Sequence, residues 1–230
     1  MFITHLLPRA IITLRQIIDH PFNRALCDGS LDEDTFKFYL EQDALYLCDF
    51  SKVWTIISER CTTRSYAEQF KRLADETIVA ELELHALYFK DTVPGSFFSR
   101  RERLPQLKIE PIRDYTQHLL NLAEKAPLAE AVASCIPCFW TYKELGEHMM
   151  SRRPIDNPYR TWIDSYANES FISSTHDLIQ TFGELASIST DPTLHENIQR
   201  AFLKSTEYEL DFFNAAFAGR SYCRGAEKSL

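Results

Sequence analysis

From Ser30 to Cys61 the chain contains no proline or glycine, and from Ser65 to Phe89 it again contains none. Stretches that long cannot hold the tight turns of a hairpin meander. Their apolar residues also recur at helical steps rather than in strict alternation. Phe36, Phe38, Tyr39, Leu45, Tyr46, Phe50, Val53 and Ile57 furnish the first stretch, and Phe70, Leu73, Ile78, Leu82 and Leu84 the second. Ahead of them, Leu7, Ile11, Leu14 and Ile18 mark an amphipathic helix rather than a signal peptide, because Arg9 and Arg15 interrupt its apolar run. A short segment opens at Pro21 and closes at Asp28-Gly29-Ser30, where glycine can supply the positive φ of a helix stop. Ser30 or Asp32 is placed to cap the helix that follows.

Helical patterns resume over 111–125, 128–150, 158–188 with a break near 168–172, and 193–218. Between them, residues 91–109 carry Pro94, Gly95, a Ser-Arg-Arg-Glu-Arg run and Pro105, and read as one long irregular connection. The expected architecture is all-α: a single domain over residues 1–219, with roughly eight helices around one core and a frayed tail over 220–230.

Composition excludes several classes. With 25 Lys+Arg against 33 Asp+Glu the formal charge is −8, the wrong sign for a surface that neutralises nucleic-acid phosphates. The longest uncharged stretch near the middle, Ala131 to Tyr142, is too short to span a bilayer. At 230 residues the core needs no covalent staples, so Cys27, Cys48, Cys61, Cys135, Cys138 and Cys223 read as reduced thiols of a cytoplasmic protein.

Three constellations could carry chemistry. Cys135 and Cys138 form a Cys-x-x-Cys pair, but a redox dithiol needs a βαβ setting and a zinc site needs two more ligands at matched spacing. Both cysteines can be read as small buried hydrophobes. Cys138 has more to offer, since Pro137 removes a backbone hydrogen bond beside it and Tyr142 lies one helical turn on. A thiol one turn from a phenol is a candidate nucleophile with a hydrogen-bonding neighbour. Asp43 and Tyr46 share a face in an apolar run, where the carboxylate is either solvated or buried and in need of donors such as an amino-heterocycle offers. In Ser205 to Phe213, Glu207 and Glu209 face different sides of the helix, so at most one joins a given site. Burial raises a carboxyl pKa and suits it to general-acid work; the alternative is a solvated charge run.

The seven histidines argue against a di-iron centre. None has a glutamate three residues before it, so the Glu-x-x-His signature is missing. No phosphate-cradling glycine loop and no Gly-x-Ser-x-Gly elbow occurs.

Five blocks occur in order: His20-Pro-Phe; Gly29-Ser-Leu with Phe36-x-x-Tyr39-Leu-Glu-Gln-Asp43-x-x-Tyr46-Leu; Ile136-Pro-Cys-Phe-Trp-x-Tyr142-x-x-x-Gly146; Asn157-Pro-Tyr159-x-x-Trp162-Ile-x-x-Tyr166; and Ser205 to Phe213. Together, over roughly residues 15–217, they resemble the TenA/thiaminase II family of aminopyrimidine aminohydrolases, in its cysteine-bearing branch. The resemblance implies a haem-oxygenase-like helical fold without haem or other cofactor, no metal, and a homotetramer. It implies hydrolysis at the exocyclic methylene of 4-amino-2-methylpyrimidines in thiamine salvage, with thiamine or its aminomethylpyrimidine breakdown product as substrate. By the same resemblance Cys138 adds to the ring, Glu209 protonates or hydrogen-bonds a ring nitrogen, and Asp43 accepts from the 4-amino edge. Tyr46, Tyr115, Tyr142 and Tyr166 line the ring. Phe139 and Phe213 stand where the family often has Tyr and Trp, which keeps an aromatic wall but removes a polar handle. The competing expectations are a haem-oxygenase-like or di-metal oxidase, or a non-catalytic binder, on the same architecture.

Overall fold

A computed structural model of the chain describes residues 3–88 and 108–219. Nearly all of the 91–109 connection, and the tail from 220, lie outside the described residues. Among the described residues there are nine helices and no strand: α1 (Ile3–Ile18), α2 (Pro21–Asp28), α3 (Glu33–Glu59), α4 (Arg64–Tyr88), α5 (Glu110–Lys125), α6 (Leu128–Met150), α7 (Arg160–Ala167), α8 (Glu169–Ser187) and α9 (Pro192–Ala218). The all-helical expectation holds, and the ninth helix arises at the break anticipated near 168. There Asn168 leaves helical conformation and its side chain accepts from the Phe171 amide, capping α8 and separating it from α7.

The other boundaries follow from local chemistry. Gly29 ends α2 at φ 84°, and Asp32, not Ser30, caps α3 by accepting from the Thr35 amide at 3.0 Å. His20 caps α2 ahead of Pro21, whose missing N–H costs nothing at a helix start.

Contacts divide the chain into two compact units. The first comprises Met1–Leu31 and Lys125–Asn214. Its centre is α6, buried on most sides from Ala129 to Met149 and packed by α7 and α8. The link into α7 is tied to the end of α2. Asn157 Nδ2 donates to the Leu26 and Cys27 carbonyls at 3.0 and 2.8 Å, and the Tyr159 hydroxyl donates to the Leu31 carbonyl. Carbonyls left over at the end of a helix thus find donors.

The second unit comprises Asp32–Glu124 and Ala215–Leu230. Here α3 and α4 pack along each other, with Trp54 stacked on Phe70 at 5.5 Å and the Ser51 and Ser58 hydroxyls donating to carbonyls of α4. The start of α5 is fastened to α3 by the Ile109 amide donating to Gln42 Oε1 at 3.0 Å and by the Lys108–Asp49 ion pair. Burial alone would raise the Asp49 carboxyl, but the ammonium groups of Lys108 and Lys52 outweigh it and hold the group below its ordinary value.

Candidate active site

Within the first unit the chemistry gathers around α6. Its two cysteines differ sharply. Cys135 is fully enclosed; its thiol donates back to the Ala131 carbonyl, and burial pushes its pKa far up. Cys138, one turn further, is only partly buried. A thiol acts as a nucleophile through its thiolate and needs access, and of the two only Cys138 has any.

One turn after Cys138, Tyr142 is the hub of an aromatic wall. Its ring lies 4.8 Å from Tyr166, 6.0 Å from Trp162 and 6.1 Å from Phe213. Tyr166 in turn meets Phe171 edge-on at 5.2 Å, and Phe171 stacks on Phe139 at 5.8 Å with the planes 9° apart. Two members of this wall, Phe139 and Tyr142, follow Cys138 by one and four residues on α6. Each such ring pair contributes about 0.5–1.5 kcal/mol beyond burial.

The Tyr142–Tyr166 approach depends on a glycine. A Cβ on Gly146 would lie 2.7 Å from the Tyr166 carbonyl carbon, 2.8 Å from its oxygen and 2.9 Å from the Ala167 nitrogen. Only a residue without a side chain lets the end of α7 lie this close to α6.

α9 brings the acid. Glu209 is 2% exposed, whereas Glu207 faces solvent, which answers which of the two carboxylates is interior. Phe213, one turn on, touches Tyr142, Phe22 at 5.6 Å and the imidazole of His20 at 6.3 Å. His20 Nδ1 accepts from the Phe22 amide at 3.1 Å, so the other ring nitrogen carries the proton and donates to Asn214 Oδ1 at 3.2 Å. Burial lowers its pKa, opposed by the Asn214 bond, and keeps the ring neutral as the cap requires. His20 and Gly146 appeared in the sequence only as motif letters. Their positioning roles depend on which helices meet, which periodicity does not reveal.

The second unit holds the other group. Asp43 and Tyr46 are both buried in α3, and Tyr46 lies 5.1 Å from both Phe50 and Tyr115. Tyr115, whose surroundings carry little motif, is thus brought to Tyr46. The seven sequence-derived residues fall into two groups, with Cys138, Tyr142, Tyr166 and Glu209 in one unit and Asp43, Tyr46 and Tyr115 in the other.

Among the described residues no three His, Cys, Asp or Glu side chains gather as a metal-binding set, and no disulfide joins the described cysteines. No helix among them is long and apolar enough to cross a membrane.

Comparison with known proteins places these features in a lineage. Residues 10–218 match the profile of the TENA/THI-4/PQQC family. The chain is 29% identical over 211 residues to the aminopyrimidine aminohydrolase of Bacillus subtilis, covering 92% of this chain and 87% of that one. It is 28% identical over 203 residues to the thiamine biosynthesis multifunctional protein ThiED of Corynebacterium efficiens, covering 88% of this chain and 26% of that protein. Among solved structures, the TenA homologue protein from P. horikoshii OT3 shares the fold, with a TM-score of 0.81 at 24% identity over 95% of this chain and 99% of that one.

Proposed function

The chain belongs to the TENA/THI-4/PQQC family, and we propose that it acts within it as an aminopyrimidine aminohydrolase of the thiaminase II kind, in thiamine salvage. It hydrolyses the exocyclic C–N bond of 4-amino-2-methylpyrimidines. 4-Amino-5-aminomethyl-2-methylpyrimidine gives the hydroxymethylpyrimidine and ammonia; thiamine gives the same pyrimidine and the thiazole. The reading extends to a cytoplasmic homotetramer, as the family resemblance implies.

In the proposed mechanism the Cys138 thiolate adds to the pyrimidine ring and breaks its aromaticity. Glu209 supplies a proton to a ring nitrogen, so the electron pair displaced by sulfur is held rather than left as a bare anion. The enamine electrons of the resulting dihydropyrimidine then expel the leaving group from the methylene carbon, as ammonia from the protonated aminomethyl group or as the thiazole. Water adds at the same carbon, the Cys138–ring bond breaks, aromaticity returns, and the proton leaves the ring through Glu209. Asp43 accepts from the 4-amino group, and Tyr46, Tyr115, Tyr142 and Tyr166 pack against the flat ring.

The observation that best supports this reading is the asymmetry between the two cysteines. One thiol is sealed and back-bonded, while the other is partly exposed and precedes, by one and four residues, Phe139 and Tyr142, members of an aromatic wall suited to a planar heterocycle. The test is to incubate purified protein with the aminomethylpyrimidine and, separately, with thiamine. Release of the hydroxymethylpyrimidine with stoichiometric ammonia or thiazole is expected; no turnover of either compound defeats the proposal.

A further inference from the structure

The buried hydroxyls of the first unit mostly bond within their own helices. Ser134 donates to the Ala131 carbonyl at 2.7 Å, Thr175 to Phe171 at 2.8 Å and Thr206 to Phe202 at 2.9 Å. Ser205, immediately before Thr206, is fully buried, and its Oγ has no hydrogen-bond partner among the described residues. Buried polar groups are nearly always satisfied, and one left unpaired lowers stability, so an orphan hydroxyl in a protein interior calls for a partner from outside the chain.

Its position says which partner. Ser205, Glu209 and Phe213 follow at four-residue steps along one stripe of α9, and all three are buried. Long helical side chains lean back over the preceding turn, so the Glu209 carboxyl lies over the turn that carries Ser205. That stretch of α9 is held against α6 at both ends, by Phe202 on Trp140 at 5.9 Å and by Phe213 on Tyr142 at 6.1 Å. Ser205 and Glu209 lie between those two contacts, and Trp140 and Tyr142 stand two and four residues after Cys138 in α6.

We infer that Ser205 is a further substrate-binding residue, whose hydroxyl hydrogen-bonds a heteroatom on the ring edge of the aminopyrimidine that Glu209 engages. The assignment rests on the proposed function. Among the described residues the buried hydroxyl has no partner, and the bound ring completes it, so removing the hydroxyl weakens binding without weakening the fold.

The test compares wild type with Ser205→Ala and Thr206→Val, using calorimetric binding of 4-amino-5-hydroxymethyl-2-methylpyrimidine, steady-state kinetics on the aminomethylpyrimidine, and thermal unfolding. Ser205→Ala should bind the pyrimidine about tenfold more weakly and raise KM to match, with kcat within about twofold and Tm unchanged or higher. Thr206→Val loses a bond to its own helix and should leave affinity unchanged. Equal affinity of wild type and Ser205→Ala overturns the assignment, and so does a loss of affinity accompanied by a lowered Tm, which assigns the hydroxyl to packing. A wild type that neither binds nor hydrolyses the pyrimidine brings down the functional proposal and this assignment with it; wild-type binding matched by Ser205→Ala brings down this assignment alone.

Discussion

Cys135 and Cys138 stand three residues apart on α6, and burial alone makes them chemically different. Because Cys135 is fully enclosed with its pKa raised by desolvation, alkylation of the native protein with iodoacetamide at pH 8 should spare it while modifying Cys138. Peptide mapping reads the result, and equal labelling of the two would refute the distinction. Two glycines make a matched pair in the same way. Gly146→Ala drives a methyl group into the backbone of Tyr166 and Ala167, which cannot swing aside as a flexible side chain would. A stability loss of about 1–3 kcal/mol and a fall in kcat/KM are expected as Tyr166 moves off Tyr142. Gly183, inside α8, has nothing within 4 Å of the same position, so Gly183→Ala should stabilise by about 0.5–1 kcal/mol and leave activity alone. Denaturant unfolding of both variants decides whether crowding, rather than the loss of glycine as such, sets the sign.

At the scale of elements, His20 joins the start of α2 to the end of α9. Asn at this position can still cap α2 through its Oδ1 but is too short to reach Asn214, so His20→Asn isolates the second bond. The folded-state pKa of His20 lies below its unfolded value because burial disfavours the imidazolium. Its contribution is therefore complete above about pH 6.5 and is lost as pH falls, since the unfolded chain then binds the proton more readily. Wild-type Tm should drop between about pH 7 and pH 5 more steeply than that of His20→Asn; parallel slopes would remove His20 from the account. The proline- and glycine-free stretches, Gly29 and the break near 168 placed helices and their ends, because those are local matters of backbone freedom and capping. Which of Glu207 and Glu209 turns inward, and that Tyr115 meets Tyr46, depends on the rotation of one helix against another. Neither is encoded in a single helix's periodicity. His20 was visible only as a letter before Pro21, since its second partner lies 194 residues away.

For the whole molecule, the net charge of −8 argued against a nucleic-acid-binding surface and the helical periodicity against a hairpin fold, but they named no substrate. The ordered motif blocks did that, because a reaction is specified by particular side chains rather than by a fold. The proposed homotetramer predicts a native mass four times 26.7 kDa by light scattering, and a single-chain mass would contradict it. The central claim is that Cys138 forms a bond to the pyrimidine during turnover, and the most direct measurement is ammonia release from 4-amino-5-aminomethyl-2-methylpyrimidine by wild type, Cys138→Ala and Cys135→Ala. Cys138→Ala should lose at least about 10²-fold in kcat while remaining folded, and Cys135→Ala should stay within a few-fold of wild type. A Cys138→Ala protein that hydrolyses the compound at the wild-type rate would contradict that claim.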